Sequence, residues 1–130
     1  MIVDTSVLVA ILRKEDDALL YVNAIEAAAR KFMVCSAYLE LCIVMVGNRP
    51  EQILSKVDET LSELDIKLLP FSNEMAEVAA GAFVVYGKGR HAKAALNFGD
   101  CMSYAASKVE AMPLLFKGND FTHTDVERAI

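Results

Sequence analysis

Four acidic residues stand where an α/β chain collects its chemistry. Asp4 closes the short apolar run Ile2-Val3, and Glu40 falls in the first turn of the helix expected after Phe32-Met33-Val34-Cys35. Asp120 follows Leu114-Leu115-Phe116, and Asp100 opens the helix leading into that last run. Open parallel sheets bind ligands outside the carboxyl ends of their strands, so acids just after strands are candidates for one shared crevice. Asp100 is the indirect case, because the loop before it has to carry it there. Converging carboxylates repel one another unless a cation sits among them. With no matched set of His or Cys ligands, that cation should be hard and oxygen-loving, Mg2+ first and Mn2+ as a substitute. Such a site suits metal-assisted hydrolysis of a phosphodiester.

Each acid also has a plain structural role open to it. Asp4 can cap the helix that follows it. Glu40 gains from the helix dipole in a first turn. Asp100, three residues after Asn97, has the spacing of a capping box, and Asp120 after Gly118-Asn119 fits turn chemistry. Only their common placement after strands singles them out.

The elements that must position these residues alternate between short apolar runs and longer amphipathic stretches. That is the pattern of a three-layer α/β/α sandwich around a short, mainly parallel sheet. Strands are expected at 2–3, 32–35, 66–69 and 113–116. Helices are expected at about 6–12, 16–30, 37–46, from Pro50 through Leu64, 72–86 and 97–109. Glu15, Asp16 and Asp17 suit the start of the second helix electrostatically, and Pro50 suits a first-turn position. No linker, repeat or low-complexity tract divides the chain, so residues 1–130 are read as one domain.

The chain is 55% hydrophobic and carries a formal charge of −5 over 130 residues, which excludes disorder and argues against nucleic-acid binding through a broad positive face. The exception is the basic loop Gly87-Lys88-Gly89-Arg90-His91-Ala92-Lys93. Lys88, Arg90 and Lys93, with Lys117, are the candidate contacts for phosphates. His91 and His123 read as exposed loop histidines. Ser6, Asn119 and Thr122 are candidates to orient the carboxylates by hydrogen bonds, and Thr124 shares that description. Cys35, Cys42 and Cys101 are odd in number, lie among apolar neighbours and read as reduced core residues. No apolar run reaches membrane-spanning length and no export signal is evident, so a soluble cytoplasmic protein is expected.

Three stretches together closely resemble PIN-domain proteins, specifically the VapC toxins of bacterial type II toxin–antitoxin systems. They are Met1-Ile2-Val3-Asp4-Thr5-Ser6, then Ser36-Ala37-Tyr38-Leu39-Glu40, and the carboxyl-terminal third. In that third, Leu96-Asn97-Phe98-Gly99-Asp100-Cys101 and Phe116-Lys117-Gly118-Asn119-Asp120-Phe121 are the most specific segments. The resemblance implies a PIN-like fold and a Mg2+-dependent endoribonuclease, commonly a homodimer, neutralised by a cognate VapB antitoxin. It implies contact with operator DNA only through that antitoxin. By motif position, Asp4, Glu40 and Asp100 match the family's acidic triad and Asp120 its frequent fourth acid, with Asp4 and Asp100 as metal ligands. Ser6 matches a supporting hydroxyl. The one departure is Ser36-Ala37, where many relatives carry Ala-Asn.

Two readings from other classes compete. A phosphoacceptor receiver domain is also a small acidic α/β protein, but its middle strand must end in Asp, and here Leu68-Leu69-Pro70 carries no acid. A protein-interaction module would use the acids as caps and the apolar helices as a docking face, and would cleave no RNA with or without Mg2+.

Overall fold

The structure is a computed structural model that describes residues 1–47 and 50–130. Four parallel strands form one sheet in the order β3-β2-β1-β4: β1 Ile2–Val3, β2 Phe32–Val34, β3 Lys67–Leu69 and β4 Leu114–Leu115. Ile2 pairs with both Phe32 and Leu114, so β1 is central. Its two residues are fully buried, as a strand covered on both faces requires. The helices are α1 Thr5–Leu12, α2 Ala18–Ala27, α3 Cys35–Met45, α4 Pro50–Glu63, α5 Asn73–Tyr86 and α6 Phe98–Val109. The strand order runs outward from β1 to β3 and then jumps back past it to β4. Right-handed crossovers therefore put α1–α4 on one face and the α5–α6 pair on the other. The reversal lies between β1 and β4, and it opens a crevice at their carboxyl ends. No described helix is long and apolar enough to cross a membrane.

The local physics accounts for most boundaries. Ser72 caps α5 by accepting from Met75 N, and Gly87 ends that helix. In α4, Val57 and Leu61 turn inward at helical spacing, Leu64 continues the buried side just past the helix end, and Leu54 faces out. Two expectations need correction. Helix α2 begins only at Ala18 and stops at Ala27, and Asp17 makes no side-chain cap; Glu15 and Asp17 instead turn their carboxylates to Lys117. Cys35 is not a strand or core residue: it opens α3 and is exposed, whereas Cys42 and Cys101 are buried thiols. Residues 127–129 form a further segment placed against the sheet. Leu114 N donates to Glu127 O at 2.8 Å and Ala129 N to Leu114 O at 3.0 Å, so this segment lines the outer edge of β4.

Candidate active site

Asp4 emerges from β1 at the crevice with its backbone N–H donating to Leu115 O of β4 at 2.9 Å. It is only 4% exposed. Its Oδ2 accepts from Ser6 N at 2.9 Å and from Ser6 Oγ at 2.6 Å, which makes it the N-cap of α1. The Ser6 hydroxyl in turn accepts from Lys117 N at 3.0 Å. Cap and candidate ligand are thus one residue: the cap uses Oδ2 and leaves Oδ1 without a protein donor among the described residues.

Glu40 arrives from α3. That helix starts at Cys35, so Glu40 sits in its second turn, and the first-turn dipole role does not apply. Its orientation comes from two other features. Thr5 Oγ1 donates to Glu40 Oε2 at 2.7 Å, a contact spanning 35 residues of sequence. Gly99 lies so close that a Cβ there would fall inside the Glu40 carboxylate. A glycine at the start of α6 is thus what lets α3 bring its acid beside Asp100.

Asp100 occupies the third position of α6 in a reciprocal capping box: Asn97 Oδ1 accepts from Asp100 N at 3.0 Å, and Asp100 Oδ2 accepts from Asn97 N at 2.7 Å. Burial pushes its pKa up to about 7. The Asn97 N–H opposes the rise, and the charges of Asp4, Asp120 and Glu40 add to it. Three acids from distant parts of the chain therefore act on one carboxyl. Asp4, Glu40 and Asp100 share a pattern in which one oxygen is held by a protein donor and the other receives none among the described residues. Among the described residues no three His, Cys, Asp or Glu side chains lie close enough together to form a metal-binding group as they stand.

The other expected site residues fall into distinct groups. Asp120 is exposed on the turn after β4, behind Gly118 at φ +95°. Asn119 and Thr122 are exposed beside it and stabilise the turn through Thr122 N to Asn119 O at 3.0 Å; their side chains make no hydrogen bond to the four acids. Lys88, Arg90 and Lys93 are exposed and free of ion pairs among the described residues. Their loop is closed by Lys88 N to Leu96 O and Leu96 N to Tyr86 O, both 3.0 Å. His91 is its organiser, with Nδ1 accepting from Lys93 N at 3.1 Å and Ala94 N at 2.8 Å. Lys117 behaves differently from the loop cations: its ammonium donates to Glu15 at 2.5 Å and Asp17 at 2.7 Å. Sequence reasoning missed the roles of Thr5 and Gly99. The only signal for Thr5 was a second hydroxyl next to Ser6, and for Gly99 a glycine just inside a helix start.

The PIN domain family model matches residues 1–127. The chain is 43% identical over 130 residues to VapC ribonuclease Mb0625 of Mycobacterium bovis, covering 100% of this chain and 98% of that protein. It is 41% identical over 126 residues to Ribonuclease VapC30 of Mycobacterium tuberculosis, with 97% and 95% covered. Two solved structures share the fold. Mycobacterium tuberculosis VapC20, described as a sarcin-ricin loop cleaving toxin, gives a TM-score of 0.75 at 14% identity, covering 96% of this chain and 95% of that one. VapBC2 from Rickettsia felis, bound to a DNA fragment from its promoter, gives 0.76 at 17% identity, covering 98% and 94%. With a parallel sheet, an acid-lined crevice and a family match over nearly all of its length, the chain belongs to the PIN-domain family. Within that family, near-complete alignment at 41% to 43% identity makes it a VapC ribonuclease.

Proposed function

We propose that this chain is the toxin of a type II toxin–antitoxin module, an endoribonuclease that hydrolyses RNA phosphodiesters with Mg2+, or with Mn2+ in its place. The observation that carries this reading is the convergence of the Asp4, Glu40 and Asp120 charges on the buried Asp100, with no cation among the described residues paired to any of the four. The donor set fits a hard divalent ion: it is all carboxylate, and Asp4, Glu40 and Asp100 each keep one oxygen without a donor among the described residues. Asp4 and Asp100 would hold the ion directly. When bound, it supplies Lewis acidity that makes coordinated water more acidic and offsets charge developing on the phosphoryl oxygens.

The chain's own residues do the remaining work. Glu40 Oε1 accepts the proton of the attacking water while Thr5 keeps Oε2 fixed, so the base is oriented before substrate arrives. As water oxygen bonds to phosphorus, the phosphorus–oxygen bond to the neighbouring ribose breaks and the leaving oxygen takes up a proton from solvent. Asp120, on its exposed turn, would complete the site through bound water or a second ion. Lys88, Arg90 and Lys93 hold flanking phosphates and give an acidic protein a local hold on RNA.

A VapB-type antitoxin neutralises the enzyme by laying an apolar segment along α3, where Leu39, Ile43, Val44 and Val46 are 60%, 63%, 44% and 53% exposed, and by projecting a basic side chain at the acids. Operator DNA is reached only through that antitoxin. A homodimer in the cytoplasm completes the reading, with the exposed Phe83, Val84, Val85 and Phe98 available for self-association. The test is cleavage of total RNA by purified protein, with sequencing of the cut sites. Cleavage should be lost in EDTA and restored by Mg2+ or Mn2+, whereas equal cutting in EDTA would eliminate the cation-dependent reading.

A further inference from the structure

Lys117 is the most heavily engaged cation among the described residues, and nothing in the reaction above uses it. Its ammonium is shared by Glu15 at 2.5 Å and Asp17 at 2.7 Å, and Asp17 also accepts from Tyr21 Oη at 3.4 Å. All three charged side chains are about two-thirds buried, with 32%, 35% and 37% exposure. The two acids lie in the sharp turn between α1 and α2, where Lys14 adopts φ +55°. At the other end of the same residue, Lys117 N donates to Ser6 Oγ, and Ser6 Oγ donates to Asp4 Oδ2. A hydroxyl has one proton. With the Lys117 N–H occupying a lone pair, the Ser6 proton is directed at Asp4.

From this chain of contacts we infer that Lys117 is a positioning residue for Asp4: its side chain, clamped by Glu15 and Asp17, fixes the backbone N–H that orients Ser6 and through it the carboxylate offered to the cation. The segment needs such a clamp because β4 ends at Leu115 and Gly118 turns the chain away at φ +95°. Lys117 therefore acts at a distance from RNA, and a phosphate contact would require it to leave two carboxylates. The inference rests on the cation site proposed above.

Mn2+ affinity, measured without RNA by electron paramagnetic resonance, separates this role from its rivals. Lys117→Met keeps the backbone N–H and removes a positive charge. Simple Coulomb attraction then predicts tighter Mn2+ binding, whereas loss of the clamp predicts binding weaker by about 10-fold. The clamp also predicts a lower kcat with KM for RNA unchanged, recovery in Lys117→Arg, and no additional loss when Lys117→Met is added to Ser6→Ala. Unchanged or tighter Mn2+ binding with a raised KM would overturn the proposal in favour of a phosphate contact. If Lys117→Met does not fold, Lys117→Gln serves instead, since it too keeps the backbone N–H and removes the positive charge: weaker Mn2+ binding supports the clamp, and unchanged or tighter Mn2+ binding with a raised KM overturns it. Asp4→Asn is the control. Wild-type Mn2+ binding in that variant removes the cation site itself, while its loss alongside an unaffected Lys117→Met removes only the clamp.

Discussion

The two ends of α6 treat a carboxylate in opposite ways. At its start, Asp100 is buried among acids and its pKa is raised to about 7, although a helix N-terminus and the Asn97 N–H both favour the charged form. Towards its end, Asp125 packs from the carboxyl-terminal segment, where Tyr104 Oη donates to it at 2.5 Å and Lys108 Nζ at 3.0 Å. Those partners, Tyr104 first, hold its pKa below the ordinary carboxylate value. The protein satisfies one carboxylate completely and leaves the other in deficit. A deficit maintained against two favourable local influences singles out that end of the helix as the candidate functional one.

The sharpest way to break this contrast is to neutralise the deficient end. Asp100→Asn and Asp4→Asn should each lower RNA cleavage by at least about 100-fold while far-UV circular dichroism stays unchanged, because an amide keeps the cap and loses the ligand charge. Gly99→Ala should come next. The new methyl displaces the Glu40 carboxylate, and cleavage should fall by about 10-fold or more with Mn2+ affinity less affected.

The pH dependence of the metal-free protein is a third measure. A carboxyl whose folded pKa exceeds its unfolded value of about 3.9 binds its proton more tightly in the native state. Its contribution to stability is full below that unfolded value and is lost as pH rises through about 7. In EDTA, Asp100→Asn should therefore melt above wild type at pH 8, with the gap shrinking toward pH 4, and saturating Mn2+ should reverse the order. The smallest effect belongs to the satisfied end. Tyr104→Phe should cost about 1 kcal/mol in denaturant unfolding and leave cleavage unchanged. A large loss of cleavage there would mean the two ends are coupled.

What could be read from the sequence follows from how local the determining physics is. Asp4 and the Asn97–Asp100 box were legible because a cap and its partner lie within a few residues. The four strands were legible from short apolar runs, with ends off by a residue or two. Glu40 was recognised, but the helix start at Cys35 moved it out of the first turn, since a strand and a helix abut there without a polar cap to mark the join. Thr5 to Glu40, Gly99 against Glu40, and Lys117 to Glu15 and Asp17 were hidden for a common reason: each is a contact between segments 35 to 102 residues apart. Lys117 was grouped with the loop cations for its charge, while its neighbours in space are Glu15 and Asp17. The extended turn of α2 failed similarly, as the acids expected to start that helix were drawn to Lys117.

The segment along β4 has a practical consequence. Glu127 and Ala129 hydrogen-bond to Leu114, whose neighbour Leu115 receives the backbone N–H of Asp4, and Arg128 lies 4.8 Å over the Phe116 ring. Residues 127–129 are thus one strand removed from Asp4. Residues 127–129 therefore brace the strand beside Asp4, and a substitution such as Ala129→Pro, which removes the N–H given to Leu114, would loosen the crevice wall from outside it.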